Sequence, residues 1–273
     1  MERQTNVKPK ILFCYYLLNE TNWKDGLSAA LQILGKDYEI TYANFAHRIP
    51  RYSETKEFDL ILAWTAFETD LDKWMRKIEQ PKGLLIAGYC YEPTKIRDYD
   101  VLFYETEWYA KTEIDYHPNK YHAFGVNTDI FKPLEQTPVI EYLSPGAFAA
   151  WKRHEYLIEK QGIRLAVGHI QLEEAARKES QTIIAKLLMN GIGVLPEVSP
   201  YELAYLMNAS STVFIPADVE GGGERCLLEA RACGRHVEIR EDNPKLQELL
   251  TSPVWDQEYY ASQLRKGIES CLK

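Results

Sequence analysis

Three consecutive glycines, Gly221, Gly222 and Gly223, follow Glu220 and precede Glu224 and Arg225, with Glu229 one helical turn beyond Arg225. Glycine has no Cβ, so such a stretch lets the backbone approach a ligand closely. A helix starting near Glu224 would add free N–H groups and the positive end of its dipole, which suit a phosphate. Carboxylates accept hydrogen bonds in pairs, which suits sugar and ribose hydroxyls. A second charged pair, Lys152 and Arg153 within Trp151–His154, could clamp a diphosphate. The same residues also fit plainer roles. A glycine triplet can be a turn and nothing more. Arg225 and Glu229 stand four apart and can form an ordinary intrahelical ion pair. Glu224 can simply complement the helix dipole, and Lys152–Arg153 can be a solvated basic turn. Spacing alone leaves both readings open. The histidines show no metal-ligand spacing, and His47, His117 and His122 read as structural. Tyr89, Tyr91, Tyr104, Trp108 and Tyr109 read as core before they read as a stacking cleft.

These residues need elements to position them. Short apolar runs alternate with helical stretches along the chain. Strands are expected at Ile11–Leu18, Glu39–Ala43, Asp59–Ala63, Leu84–Gly88 and Val101–Tyr104, with helices at Leu27–Leu34 and Lys73–Ile78. The pattern breaks at Gly125–Pro133, whose turn residues and closing proline read as a linker. It then resumes with strands at Val139–Leu143, Ile163–Val167, Thr212–Ile215 and His236–Ile239. Helices are expected at His154–Lys160, Gln181–Met189 and from about Glu224 to Cys233, the last stopped by Gly234. Ser199-Pro200-Tyr201-Glu202 is a capping box opening another helix, and Asn243-Pro244 opens a short one through Leu250. Tyr260, Leu264, Ile268 and Leu272 recur every four residues, the mark of an amphipathic helix. It either closes the second domain's core or packs back on the first.

Strands alternating with helices imply parallel sheets covered on both faces. The fold class expected is therefore α/β, with two Rossmann-like domains, a cleft between them and a C-terminal amphipathic helix. The boundaries expected are 1–125, a linker at 126–133, a second domain at 134–255 and the helix at 256–273. In parallel sheets ligands bind beyond the C-terminal strand ends, which is where the glycine run would fall.

The 273 residues are 45% hydrophobic and 26% charged, enough apolar material for two modest cores. A net charge of −8 argues against nucleic acid or an anionic membrane as the main partner. Five cysteines, at 14, 90, 226, 233 and 271, form no Cys-x-x-Cys pair. Reduced thiols in a cytoplasmic protein are expected. The run Ile11–Leu18 is too short to span a bilayer, so no transmembrane segment is expected.

Taken in order, four segments resemble glycosyltransferase family 4, the retaining enzymes of the two-domain GT-B fold. Gly125–Pro133 is similar to the family's interdomain signature, and Gly146–Arg153 to its phosphate-clamp strand and loop. Ser199–Ala209 with Thr212–Pro216 resembles the helix and strand before the donor site. Glu220–Gly234 resembles the donor-site glutamate motif. The resemblance spans about residues 120–240. It implies transfer of a sugar from a UDP- or GDP-linked donor to an acceptor, with retention, and with no metal or other cofactor. It places Gly146, Lys152 and Arg153 at the donor diphosphate and Glu229 at the ribose hydroxyls. The amides of Gly221, Gly222 and Gly223, beside Arg225, would meet the sugar or phosphate, and Glu220 or Glu224 would hold the transferred sugar. Lys152, Glu220 and Glu224 are the catalytic candidates.

Three departures stand out. Ala147 occupies the place of the family's clamp arginine, with Arg153 or Arg225 as the replacement. The spacing from Glu220 to Glu229 exceeds the family's by one residue. In the first half, Lys24-Asp25-Gly26 is the nearest approach to a glycine-rich first loop, and Trp64 follows the third strand without the expected histidine. These departures keep two alternatives open: a non-catalytic nucleotide-sugar binding protein, or a sugar-nucleotide epimerase.

Overall fold

The computed structural model describes residues 8–17, 23–64, 70–86, 96–112 and 114–272. Its chain forms two compact units. The first comprises the residues up to Trp23, Leu27–Phe124 and the C-terminal stretch from Gln257 onward. The second comprises Lys24–Gly26 and Gly125–Asp256.

In the first unit six parallel strands form one sheet, in the order β2-β1-β3-β4-β5-β6. They are β1 (Lys10–Tyr15), β2 (Glu39–Asn44), β3 (Leu60–Trp64), β4 (Lys82–Leu85), β5 (Val101–Tyr104) and β6 (Lys120–His122). Strand side chains alternate between faces, and here both faces are buried. Leu12, Cys14, Ile61, Ala63, Leu84 and Leu102 face one core. That core includes Leu71, Trp74 and Met75 of α2 (Asp70–Met75), which follows α1 (Gly26–Leu34) in the chain. Tyr109 and Ala110 of α3 (Glu107–Thr112) complete it. Ile11, Phe13, Leu60, Leu62, Val101 and Phe103 face the other core, against Leu27, Leu31 and Leu34 of α1. Tyr260, Ala261, Leu264 and Ile268 of the C-terminal helix (Gln257–Cys271) join that second core. Gly267 lets this helix close on the sheet: a Cβ there would lie 2.4 Å from the Phe103 ring.

The second unit has five parallel strands in the order β11-β10-β7-β8-β9. They are β7 (Ile140–Pro145), β8 (Arg164–Val167), β9 (Gly193–Leu195), β10 (Ser210–Ile215) and β11 (His236–Ile239). Its helices are α4 (Glu174–Met189), α5 (Pro200–Asn208), α6 (Glu224–Ala232) and α7 (Pro244–Thr251). The chain moves outward from β7 to β8 and β9, then returns to lay β10 on the other side of β7. That reversal makes the β7/β10 edge a topological switch point, the place where such sheets bind ligands.

Most of the expected elements are found within a residue or two, and the capping geometry is as read. Ser199 Oγ accepts from Glu202 N while the Glu202 carboxylate accepts from Ser199 N. Asn243 caps α7, and Gly234 follows α6 with a φ of +69°. The strand expected to run on to Leu18 ends at Tyr15, and the helix expected at Lys73–Ile78 lies three residues earlier, at Asp70–Met75. Two further expectations need correction. His154–Lys160 is not an α-helix but a 3₁₀ helix over His154–Glu159, preceded by a shorter one at Ala150–Lys152. Arg153, between them, adopts the left-handed conformation at φ 53°, and this residue interrupts any continuous helix. The helix placed at Gln181–Met189 starts seven residues earlier, at Glu174. The added stretch is helix-favouring but largely solvated, so it has no apolar stripe to read. β6, β9 and α3 were not expected, each being too short to show a period. The far end of the Leu84–Gly88 strand, together with Tyr89 and Tyr91, lies outside the described residues. Among the described residues, no helix is long and apolar enough to cross a membrane.

Candidate functional site

Two loops leave the C-terminal ends of β7 and β10, neighbours in the sheet, and press on each other. The first runs from Gly146 to Arg153. Gly146 has a φ of +142°, and a Cβ there would lie 3.3 Å from the Lys152 side chain. Backbone therefore passes directly beneath the lysine stem. His154 braces this turn from inside the core. Its Nε2 donates to Ala147 O at 3.0 Å, and its Nδ1 accepts from Ser144 Oγ at 2.9 Å. Burial pushes its pKa down to about 4, so the imidazole is neutral and fits both partners.

The second loop carries the glycines. Asp218 N donates to Trp151 O at 3.1 Å, tying it to the first. Gly221 is required at this contact, since a Cβ would sit 2.3 Å from Trp151 O. Gly222 and Gly223 have φ values of +65° and +109°, the left-handed region that favours glycine. Gly223 is the N-cap of α6. Asn243 secures the loop from behind, its Nδ2 donating to Ala217 O and Asp218 O.

The charged residues divide sharply. Arg153 pairs with Asp218 at 3.4 Å and with Asp242. Its charge is matched by two carboxylates. Glu224 is buried and pairs at 2.7 Å with Lys245, whose side chain is 0% exposed. Glu220 is exposed on the loop and, among the described residues, has no ion pair or hydrogen bond.

Lys152 and Glu229 are different again. Among the described residues the Lys152 ammonium has no hydrogen bond or ion pair, and it stands 3.7 Å from where a Gly222 Cβ would be. Burial lowers its pKa. Cys226 and Glu224 oppose that fall, while Arg225 and Lys245 add to it. The Glu229 side chain is 4% exposed, and its one ion-pair partner among the described residues is the Arg225 Nε, 3.9 Å away. That is beyond hydrogen-bond reach. Burial pushes its pKa up to about 8, against the pull of Arg225 and with the aid of Asp25. Arg225 itself is 53% exposed and donates from Nη1 to Asp25 Oδ2 at 2.7 Å. His169, after β8, lies in the field of Lys152 and Arg225. Burial lowers its pKa, Glu197 opposes this, and the two cations reinforce it.

The arrangement thus sets one ammonium without a partner among the described residues, that of Lys152, beside Arg225, a glycine loop and a helix N-terminus, with a buried Glu229 carboxyl that has no hydrogen-bond donor among the described residues. Chemically it offers fixed positive charge to an anion and a strong acceptor to hydroxyl groups. Gly146, Lys152, the three glycines, Arg225 and Glu229 are brought together, and Arg153 and Glu224 are drawn into ion pairs of their own. Sequence reasoning did not assign Asp25, Asp218, Asp242 or Lys245 as partners. Each is a single charged residue distant in sequence from the group it meets, and no spacing rule reports such a meeting. Among the described residues, no cluster of three His, Cys, Asp or Glu side chains is placed to hold a metal ion.

The fold is the two-domain Rossmann-like GT-B fold. Solved structures similar to this chain include sucrose-phosphate synthase from Thermosynechococcus elongatus, at 13% identity and a TM-score of 0.65, covering 95% of this chain and 90% of that one. A glycosyltransferase from Rickettsia africae ESF-5 is similar at 15% identity and a TM-score of 0.60, with 97% and 91% covered. HepE from Anabaena, solved in complex with UDP and glucose, is similar at 12% identity and a TM-score of 0.65, with 96% and 100% covered. At these identities the likeness is one of fold. No protein-family model matches the chain, and no curated protein matches it by sequence.

Proposed function

We propose that this protein is a glycosyltransferase that moves a sugar from a UDP- or GDP-linked donor to an acceptor, with retention of anomeric configuration and without a metal ion. The observation that carries the reading is the juxtaposition of a Lys152 ammonium and a buried Glu229 carboxyl, neither with a hydrogen bond among the described residues, at the β7/β10 switch point. A nucleoside diphosphate satisfies both at once. Its phosphates meet Lys152, Arg225 and the amides of Gly221, Gly222 and Gly223, and its ribose hydroxyls donate to Glu229. In the reaction the bond between the anomeric carbon and the β-phosphate oxygen breaks, its electron pair leaving with the diphosphate. A new bond forms to the acceptor, which loses a proton. Lys152 and Arg225 stabilise the charge that gathers on the leaving diphosphate. Of the two carboxylates nearest the glycines, Glu224 is occupied by Lys245, so Glu220 is the one free to hold the sugar's hydroxyls. That Cys14, Cys226, Cys233 and Cys271 are free thiols suits a reducing compartment such as the cytoplasm.

A thermal-shift panel of nucleoside diphosphates and their sugars tests this. A ligand at about a hundred times its Kd adds about 2.7 kcal/mol of stability, so the true donor raises the melting temperature by several degrees. A flat panel overturns the proposal. With the donor in hand, Lys152→Ala is expected to lower kcat/KM by about a hundredfold or more, the typical effect of losing one donor to a developing anion. Its melting temperature should hold, because the deleted ammonium has no hydrogen bond or ion pair among the described residues.

A further inference from the structure

Arg225 is half-exposed, yet it is held by a nearly buried carboxylate. Its Nη1 donates to Asp25 Oδ2 at 2.7 Å, and the Asp25 side chain is only 9% exposed. Asp25 sits in a short segment that is itself anchored. Asn127 Nδ2 donates to Lys24 O at 3.2 Å. The Lys24 ammonium lies over the Tyr201 ring, 5.2 Å from its centroid. Gly26 packs so closely that a Cβ would fall 1.8 Å from Gly125 O. The guanidinium is therefore gripped at one edge by a rigid carboxylate, while its Nε faces Glu229 at 3.9 Å. Its Nη2 has no partner among the described residues and shares its surroundings with Lys152, whose pKa it helps to lower.

We propose that Asp25 is a positioning residue, fixing Arg225 so that its free Nη2 edge meets the diphosphate of the bound nucleotide. This rests on the site reading above and deepens it. A free arginine side chain has rotamer entropy to lose on binding a ligand, and an arginine already held in place loses much less. The pairing also gives a task to Lys24-Asp25-Gly26, a segment otherwise without one, and it supplies a cation at a site where Ala147 provides none. An ordinary surface ion pair would stiffen the chain slightly and leave ligand binding alone.

The test is a double-mutant cycle read by calorimetric titration with UDP and GDP, using whichever binds the wild-type protein. Asp25→Asn is expected to weaken binding about tenfold and Arg225→Ala at least as much. The double variant should match Arg225→Ala alone, because the positioning role proposed for Asp25 runs through the arginine. Unchanged affinity in Asp25→Asn overturns the proposal, and so does an Asp25→Asn effect that persists undiminished in the Arg225→Ala background. Should Asp25→Asn fail to fold, Arg225→Lys keeps the charge but loses the fork that Asp25 grips. It is expected to weaken binding about tenfold, and unchanged affinity counts against the idea. Failure of the wild-type protein to bind either nucleotide sinks the site reading itself and this proposal with it, an outcome distinct from a failure confined to the variants.

Discussion

Glu229 shows what a single residue at this site costs the free protein. Its carboxyl has a pKa of about 8 in the fold, against 4.5 for an ordinary glutamate. Between those values the folded protein keeps a proton that the unfolded chain has released. Stability therefore falls as pH rises through this window; the contribution is complete below about 4.5 and lost above about 8. Glu229→Gln cannot titrate. Thermal melts without nucleotide should show the variant close to wild type at pH 5 and clearly more stable at pH 8.5. An equal difference at both values would count against the assignment. The neighbouring acids separate in the opposite way. Glu224→Gln removes the carboxylate from a fully buried lysine and should cost roughly 3 kcal/mol or more of stability. Glu220→Gln, on an exposed loop, should melt like wild type and lose turnover. Denaturant unfolding alongside initial rates measures both.

At the scale of elements, the site is made by two loops that can meet only because one of them has no side chain at the contact. Gly221→Ala would force a Cβ to within 2.3 Å of Trp151 O. Backbone on both sides must move, at a cost of roughly 1–3 kcal/mol. Lys152, one residue from Trp151, shifts with it. Gly221→Ala should therefore lose both stability and nucleotide affinity, whereas Lys152→Ala loses only the latter. Titration and melting of the two variants side by side distinguish these outcomes. The neutral His154 beneath the first loop serves the same end, holding Ser144 and Ala147 at once. Capping was readable at this scale, since Ser199, Glu202 and Asn243 act within a few residues of themselves. The 3₁₀ turns were not, because an arginine carries no local signal for the left-handed backbone that separates them at Arg153.

At the scale of the whole molecule, the chain's end belongs with its beginning. The stretch from Gln257 onward clusters with the first unit, although it follows directly on the second. Tyr260, Ala261, Leu264 and Ile268 are all buried in that unit's core. At roughly 2 kcal/mol for each large apolar side chain, the helix supplies stability that the first unit cannot spare. Truncation after Asp256 should therefore raise hydrogen exchange in β5 and β6 while β7 and β10 stay protected. Uniform exchange across both sheets would refute this. The four-residue spacing of the helix was plain in the sequence, and its address was not. Period, capping and composition are local properties, so the sequence by itself determined the alternation of strands and helices, the two parallel sheets and the position of the glycine loop after a strand. Which charges remain free for a ligand was decided by tertiary structure. Arg153 is claimed by Asp218 and Asp242 and Glu224 by Lys245, while Asp25, 200 positions away, holds Arg225 by its Nη1 alone. A charge is neutralised by whatever lies within a few ångströms, and only the folded chain brings such partners together. The glutamate and glycine motif was therefore visible as a motif, while the different surroundings of Glu220, exposed, Glu224, paired with Lys245, and Glu229, buried beside Arg225, emerged only with the fold.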